Sequence, residues 1–546
     1  MLETWTEAQL AEIGLRRDGE AVTIDIPADA NIFSMTLGRQ LGPEGADRPA
    51  MLFERPDGRL ETWSFAQIDA AATTLAAHLR GLGYGRGDLV GLHTGMRPET
   101  AIGHMAVCKL GGTAVTLSQL YGSDALAHAL NDCEARCLLT TEAAWANLRD
   151  EAGRFGYLTD ILVSESAGTE PDLRAILDSA APPGFEPDYT GPDDPALLMY
   201  TSGSTGMAKG ILHGHRILAA YRPSINLFYN LSLQDAVFWS PSDWAWVGGL
   251  LDMMMPAWLA GRPIVTSEAR FTAEWAYEFM ARHKVTHVFL APTAVKRLAQ
   301  TAQPRDSHDL SLRVICTGGE ALAADTLVWA EDRLGVVCNE FYGMTEVNHL
   351  IGNCSRLYPR RPGSMGVAYP GHDVRLVDAE GIEVADGEPG EIVTPATSPT
   401  RFLGYLNNAG KEAELRLGDW LRTHDLAVRD ADGYFWYKGR SDDLIKSSGF
   451  RIGPTEIEEC LLSHPAVAEA GVIGKPDAQR GTIVKAFVRL ASGFIGDASL
   501  TEELRAHVRN KLASYKAPRE IDYVDEFPMT SSGKINRKAL RQAEGN

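Results

Sequence analysis

The chain reads as an α/β protein. A large N-terminal part is built on mixed and parallel β-sheets covered by helices, a small β region closes it, and a smaller α/β unit follows. Three observations predict this. Strand-sized apolar runs alternate with helix-period segments from Met51 onwards, the pattern of a sheet buried on both faces. From about Gly366 that rhythm gives way to short β segments separated by turns. After Gly439-Arg440 about a hundred residues carry helices and strands of their own, enough for a separate domain. The expected division is therefore 1–439 and 440–546.

Residues 1 to about 45 mix short polar and apolar pieces and read as a partly helical lead-in. Met51–Glu54 reads as a strand, and Gly58-Arg59-Leu60 as a hairpin turn. Ser64 then opens a helix whose apolar face is Ile68, Ala71, Ala72, Leu75, Leu79 and Leu82. Leu89–Leu92 is the next strand, and Pro98–Leu110 a helix stopped by Gly111-Gly112. Cys133 and Cys137 stand four apart, as on one helix. Further on, 263–265, 285–290 and 312–316 read as strands, with a helix over Thr272–His283. Within the small β region, Asp373–Val377, Gly390–Val393 and Gly433–Tyr437 are strands. The C-terminal unit has helices at Pro454–His464 and Leu500–Leu512, strands near Val467–Gly474 and Ile483–Leu490, and a final basic segment.

At 546 residues, 45% hydrophobic and 23% charged, the composition is that of a soluble globular protein of more than one domain. A net charge of −20 argues against a nucleic-acid partner, which needs a basic face. No segment approaches the roughly eighteen apolar residues of a membrane span; the nearest, Ala245–Ala260, is broken by Asp252 and Pro256. No signal peptide opens the chain, and seven scattered cysteines suit reduced thiols. The cytoplasm is the expected location, with the oligomeric state, monomer or homodimer, left open. His213/His215 and His283/His287 lack the further ligands of a metal site and read as structural or gating residues.

The chemistry centres on Thr201-Ser202-Gly203-Ser204-Thr205-Gly206-Met207-Ala208-Lys209. It follows the apolar run Pro195–Met199, and its small and hydroxylated residues let backbone N–H groups turn inward around phosphate oxygens, with Lys209 adding charge. The glycine spacing differs from the P-loop. Gly318-Gly319-Glu320 also sits at the end of a strand, where ligands of open α/β sheets lie.

This loop resembles the signature of the adenylate-forming superfamily, which contains acyl-CoA synthetases, adenylation domains and luciferases. Gly319-Glu320, Tyr342-Gly343-Met344-Thr345-Glu346, Asp425, Gly439-Arg440-Ser441-Asp442-Asp443 and Ser532-Gly533-Lys534 continue the likeness in order. The local sequence is most similar to medium-chain acyl-CoA synthetases. The resemblance implies an AMP-forming acid–thiol ligase that uses ATP, Mg²⁺ and CoA and has a mobile C-terminal domain. Lys534 would bridge the carboxylate and α-phosphate; Glu346 would hold the ATP-bound Mg²⁺; Thr345 would contact the α-phosphate and Tyr342 the adenine. The backbone of Gly319, Glu320 and Ala321 would line the purine. Asp425 would bind the ribose hydroxyls, with Arg440 reaching ribose or phosphate. His424 stands where the family usually has Gly. Asp442 would be the hinge, and Gly449 and Arg451 would face CoA.

The acyl pocket is expected from Trp244, Trp246, Val247, Gly248, Gly318 and Gly343. Acetyl- and propionyl-CoA synthetases carry a Trp where Gly343 stands. An absent indole frees room for methylenes worth about 0.8 kcal/mol each, which predicts a medium-chain, branched or aromatic acid. Trp244, Trp246, Met253 and Met254 could re-wall that space. The rival readings are an adenylation enzyme with another acceptor, for which Asp243 is the one obvious partner of a substrate ammonium, and a catalytically idle acyl- or nucleotide-binding protein.

Overall fold

The computed structural model describes residues 2, 4–201, 208–300, 304–320, 324–441, 443, 445–447, 450–477, 481–529 and 535–544. Leaving aside 202–206, the chain forms two compact units. The larger comprises Met1–Thr201, Met207–Asp373 and Pro395–Leu415; the smaller comprises Val374–Thr394 and Arg416–Asn546.

Among the described residues the larger unit is built on two big sheets. One runs Gly404–Tyr405, Lys209–Gly214, Pro195–Thr201, Thr113–Thr116, Leu89–His93, Cys137–Thr141, Asp160–Ser164. The other runs Val367–Ala368, Asn348–Gly352, Val337–Met344, Val314–Gly318, His287–Phe289, Phe238–Trp239, Ile264–Ser267, Pro49–Glu54, Leu60–Ser64. The central pairings are parallel, antiparallel pairs lie toward three of the four edges, and the Cys137–Thr141/Asp160–Ser164 edge is parallel, so both sheets are mixed. The strands alternate with helices in sequence as expected.

Local chemistry sets the boundaries. Ser64 caps the helix Phe65–Gly81 through a capping box with Gln67, and Ile68, Ala71, Ala72, Leu75 and Leu79 are buried. Leu82, expected on that face, is instead the C-cap and exposed. The helix Pro98–Lys109 is buried on every side, and Glu99 within it is satisfied by Arg97 and Ser164. The lead-in holds a short helix, Glu7–Glu12, and also a hairpin of Leu15–Asp18 with Ala21–Ile24, which the mixed polarity of the sequence concealed. Cys133 and Cys137 do not share a helix: Cys133 is the C-cap of Ser123–Asp132 and Cys137 opens a strand. The left-handed Glu134 that follows turns the chain between them.

The segment around Asp252 contains a π-turn, Leu250–Met254, followed by the helix Met255–Leu259. Asp252 is buried there and accepts a hydrogen bond from His349 Nε2 at 2.9 Å. Among the described residues no helix is long and apolar enough to cross a membrane.

In the smaller unit, one sheet takes Arg375–Val377, Pro389–Pro395, Trp420–Arg429, Arg416–Leu417 and Phe435–Arg440. Beyond it come the hairpin Ile445–Ser447/Phe450–Ile452, the helix Pro454–Leu462 and a sheet of Val467–Asp477, Gly481–Leu490 and Glu520–Tyr523. The helix Ala498–Lys511 adds Leu504 and Val508 to a core of Ile457, Leu461, Val472, Ala486 and Val488. Arg537–Ala543 is a last helix.

Candidate active site

In the larger unit, Thr201 ends one strand and Lys209 opens the next, and the two are paired opposite each other in the antiparallel register. The segment expected to bind phosphate is thus a connection whose two ends are held at ladder distance. Ser202, Gly203, Ser204, Thr205 and Gly206 lie outside the described residues.

The Tyr342–Glu346 motif closes a second antiparallel pair, Val337–Met344 with Asn348–Gly352. Thr345 and Glu346 sit at its tip, where Val347 N–H donates to the Met344 carbonyl. A register shift falls between Tyr342 and Gly343, the kind of bulge that re-aims side chains beside functional sites. Glu346 meets Tyr405, whose hydroxyl donates to Glu346 Oε1 at 2.5 Å. Lys209 Nζ stands 5.3 Å from the centre of the Tyr405 ring, a cation–π distance. Lys209, Tyr405 and Glu346 therefore converge from three distant segments. Behind them, burial pushes His213 down to about 4 although the Thr345 backbone acts in the opposite direction. His213 is a neutral packing residue at neutral pH.

The strand Val314–Gly318 runs directly into Gly319 and Glu320. Gly319 has φ +89°, and a Cβ there would meet nothing within 4 Å. This glycine is required by its backbone conformation. Ala321 is outside the described residues.

The acyl-pocket glycines need a correction. A Cβ on Gly343 would come within 2.0 Å of the Asn348 carbonyl oxygen, so main chain occupies the direction a side chain would take. The glycine is demanded by the bulged hairpin and opens no room by itself. Gly248 and Gly318 are likewise faced, by the rings of Phe289 and Phe341, at 2.3 and 2.5 Å from where a Cβ would stand. Trp244 is buried, and Trp246 packs edge-on against Tyr121 with centroids 6.2 Å apart. Phe289 and Phe341, rather than Trp244, Trp246, Met253 and Met254, stand against those glycines; their ring centroids are 6.2 Å apart. Val247 opens the short helical turn Val247–Gly249. Asp243 is turned inward, accepting from Ser118 Oγ at 2.5 Å and from Ala245 N–H at 2.9 Å, and burial raises its pKa.

In the smaller unit Asp425 and Arg440 are directly opposite in the Trp420–Arg429/Phe435–Arg440 pair, with 3.8 Å between Arg440 Nη1 and Asp425 Oδ1. The Tyr437 hydroxyl donates to Asp425 at 3.0 Å; burial and then the Asp425 charge hold that phenol well above its ordinary pKa. His424 has φ +61°, the left-handed region that favours glycine, which gives the departure at this position a physical meaning. Its N–H donates to Glu391 Oε1 at 2.9 Å, and Arg422 fixes Glu391 with a two-nitrogen contact.

Lys534, Asp442 and Gly449 lie outside the described residues, and Arg451 is described only as backbone in the strand Phe450–Ile452. Sequence reasoning missed Tyr405, Tyr437, Phe289 and Phe341. Tyr437 was legible in principle, since hairpin register places it near Asp425; Phe341 is paired with Gly318 and Tyr405 with Ile211 by pairings between strands distant in sequence, and Phe289 comes in through packing. Among the described residues no cluster of His, Cys, Asp or Glu could hold a metal ion unaided. The carboxylate of Glu346 fits a Mg²⁺ that takes its remaining oxygens from phosphates and water.

Two mixed sheets, with Lys209 and Glu346 both approaching Tyr405, fit an adenylate-forming enzyme. The chain belongs to the AMP-binding enzyme family, which matches residues 39–406, and the AMP-binding enzyme C-terminal domain matches 456–534. The mitochondrial acyl-coenzyme A synthetase ACSM4 of Homo sapiens is 31% identical over 99% of this chain and 95% of its own. The acetyl-coenzyme A synthetase of Bacillus subtilis (strain 168) is 32% identical over 91% of this chain and 87% of its own. The anthranilate CoA ligase AuaEII, solved with anthranoyl-AMP, superposes with a TM-score of 0.85 at 30% identity, covering 95% of this chain and 98% of that one.

Proposed function

We propose that the enzyme activates a carboxylic acid with ATP and transfers the acyl group to CoA. In the first step a carboxylate oxygen attacks the α-phosphorus, forming acyl-AMP as the bond to pyrophosphate breaks. In the second the CoA thiolate attacks the acyl carbon, a thioester forms and AMP leaves. The observation that carries this reading is the convergence of Lys209, Tyr405 and Glu346. It sets a cation and a carboxylate around one tyrosine, the former suited to phosphate oxygens and the latter to their metal ion.

Charge neutralisation and positioning dominate such a reaction, because two anions must meet. Lys209 supplies charge beside the phosphate loop, and the Thr345 hydroxyl orients the α-phosphate. Asp425, with Arg440 and Tyr437 fixing it, accepts hydrogen bonds from the ribose. Lys534 neutralises the attacking carboxylate, and Asp442, Gly449 and Arg451 serve the second step as the family likeness implies. Mg²⁺, when bound at Glu346, neutralises phosphate charge. The moving part is the segment beyond the 439/440 boundary, and the seven free, buried cysteines fit a reducing cytosol.

The acid is medium-chain, branched or aromatic rather than acetate. Phe289 and Phe341 at Gly248 and Gly318 support this, since such rings reward apolar area that acetate lacks. The test is AMP release from ATP and Mg²⁺ over a panel of straight-chain, branched and aromatic acids, with and without CoA. CoA-dependent turnover peaking above C4 is expected. A peak at acetate would overturn the substrate class, and no AMP with any acid would overturn the ligase reading.

A further inference from the structure

The basic segment after Lys534 would be an ordinary solvated tail by sequence. In the smaller unit it is bound. Arg537 makes a two-nitrogen contact with Glu458, at 3.0 Å from Nε and 2.5 Å from Nη2. Its Nη1 lies 3.6 Å from Asp443 Oδ2, while Arg541 Nη1 donates to Asp443 Oδ1 at 3.0 Å. Asp443 is 13% exposed, Glu458 10% and Arg537 26%, so this is no loose surface pairing of the kind worth nearly nothing. Burial works against the Arg537 charge, yet Glu458 and Asp443 keep its pKa raised.

The same stretch is pinned on its apolar side. Met529 and Ile535 form an isolated antiparallel bridge across residues 530–534, and Asn536 N–H donates to the Pro528 carbonyl at 2.7 Å. Ile535 packs on Ile473, Phe487, Phe527 and Leu540. The stem that leads into and out of the Lys534 stretch is therefore clamped twice, by apolar packing and by carboxylates. One of those carboxylates, Asp443, is adjacent in sequence to the proposed hinge Asp442.

We propose that Asp443 is a positioning residue for adenylation: it grips Arg537 and Arg541 and so ties the Lys534-bearing segment to the chain leaving the hinge. The inference rests on the first-step role assigned to Lys534 above. Misplacing one reacting group by about an ångström costs up to about a hundredfold, so a lysine on an untied stem fails in the step that needs it and in no other.

Asp443→Asn keeps the side chain's shape and removes its charge. Acid-dependent pyrophosphate–ATP exchange should fall on the order of tenfold to a hundredfold. Thioester formation from prepared acyl-AMP and CoA should be unchanged, and Asp443→Glu should restore exchange. Arg541→Gln, which leaves the Glu458–Arg537 pair in place, should reproduce the selective loss and decides the matter if Asp443→Asn does not fold. Equal loss in both half-reactions, or loss in neither, overturns the positioning role. Lys534→Ala run alongside separates the two readings. If it spares exchange, the first-step role of Lys534 is wrong. If it abolishes exchange while the Asp443 and Arg541 variants show no selective loss, only the positioning role is wrong.

Discussion

The two units differ in how they treat interior titratable groups, although the larger one also pairs buried charges, as Lys109 with Asp69 at 2.6 Å. In the larger one, titratable rings are buried and kept neutral. Burial pushes His93, His213 and His215 down to about 4 and His104, His287 and His372 down to about 3. In the smaller one, interior cations are kept charged and paired: Lys485 Nζ is 2.7 Å from both Asp522 and Glu544, and Arg537 is held by Glu458 and Asp443. The first strategy excludes charge and the second compensates it. Acid attacks the first directly, because protonation creates charge where no counter-ion was built.

The sharpest way to break this comparison is to lower the pH. An unfolded histidine titrates near 6.5, and these six titrate below that in the folded state. The unfolded chain therefore binds more protons between about pH 6.5 and 3, and the stability they contribute, full above about 6.5, is lost as pH falls through that window. A shift of that size is worth roughly 3–5 kcal/mol per residue, against a total of about 5–15 kcal/mol for a folded domain. Hydrogen exchange read separately over the two units should show the larger opening near pH 5 while the smaller stays protected. Protection of the larger unit persisting at pH 4 would end the contrast.

A second test concerns the place in the larger unit where a lysine and a glutamate both approach Tyr405. Glu346→Gln removes a carboxylate that Tyr405 already orients, and acid-dependent exchange should fall on the order of a hundredfold, with Tm unchanged. A fall in Tm without loss of exchange would make the Lys209–Tyr405–Glu346 group structural. The smallest effect belongs to the smaller unit. His424→Gly relieves a left-handed backbone at a cost of about 1 kcal/mol and should raise the denaturant midpoint slightly with AMP release unaltered. A lowered midpoint would show that the ring's approach to Glu391 at 3.6 Å outweighs the backbone term.

Much of this architecture was legible because the strand and helix periods are local. The helix Phe65–Gly81 announced itself through Ser64, Gln67 and its apolar stripe, and the loops at Lys209 and Gly319 followed from strands that end there. What stayed hidden was tertiary. No spacing rule links Tyr405 to Glu346, and Phe341 meets Gly318 only through the register of two parallel strands distant in sequence. Gly343 misled for a related reason: an absent side chain reads as space, whereas here the Asn348 main chain fills it. The Cys133/Cys137 spacing fits a helix by arithmetic but is cut by the turn at Glu134.

The π-turn at Leu250–Met254 carries a lesson about length. A π-turn is an α-helix holding one surplus residue. Removing that residue would leave the helix continuous, and the backbone would accept it. Every side chain on one side of the deletion would then rotate by about 100°, taking Asp252 away from His349. The buried imidazole would lose the carboxylate that accepts from it. In this stretch an indel is read by the interior rather than by the helix, and the surplus residue marks the register at which the aspartate must arrive.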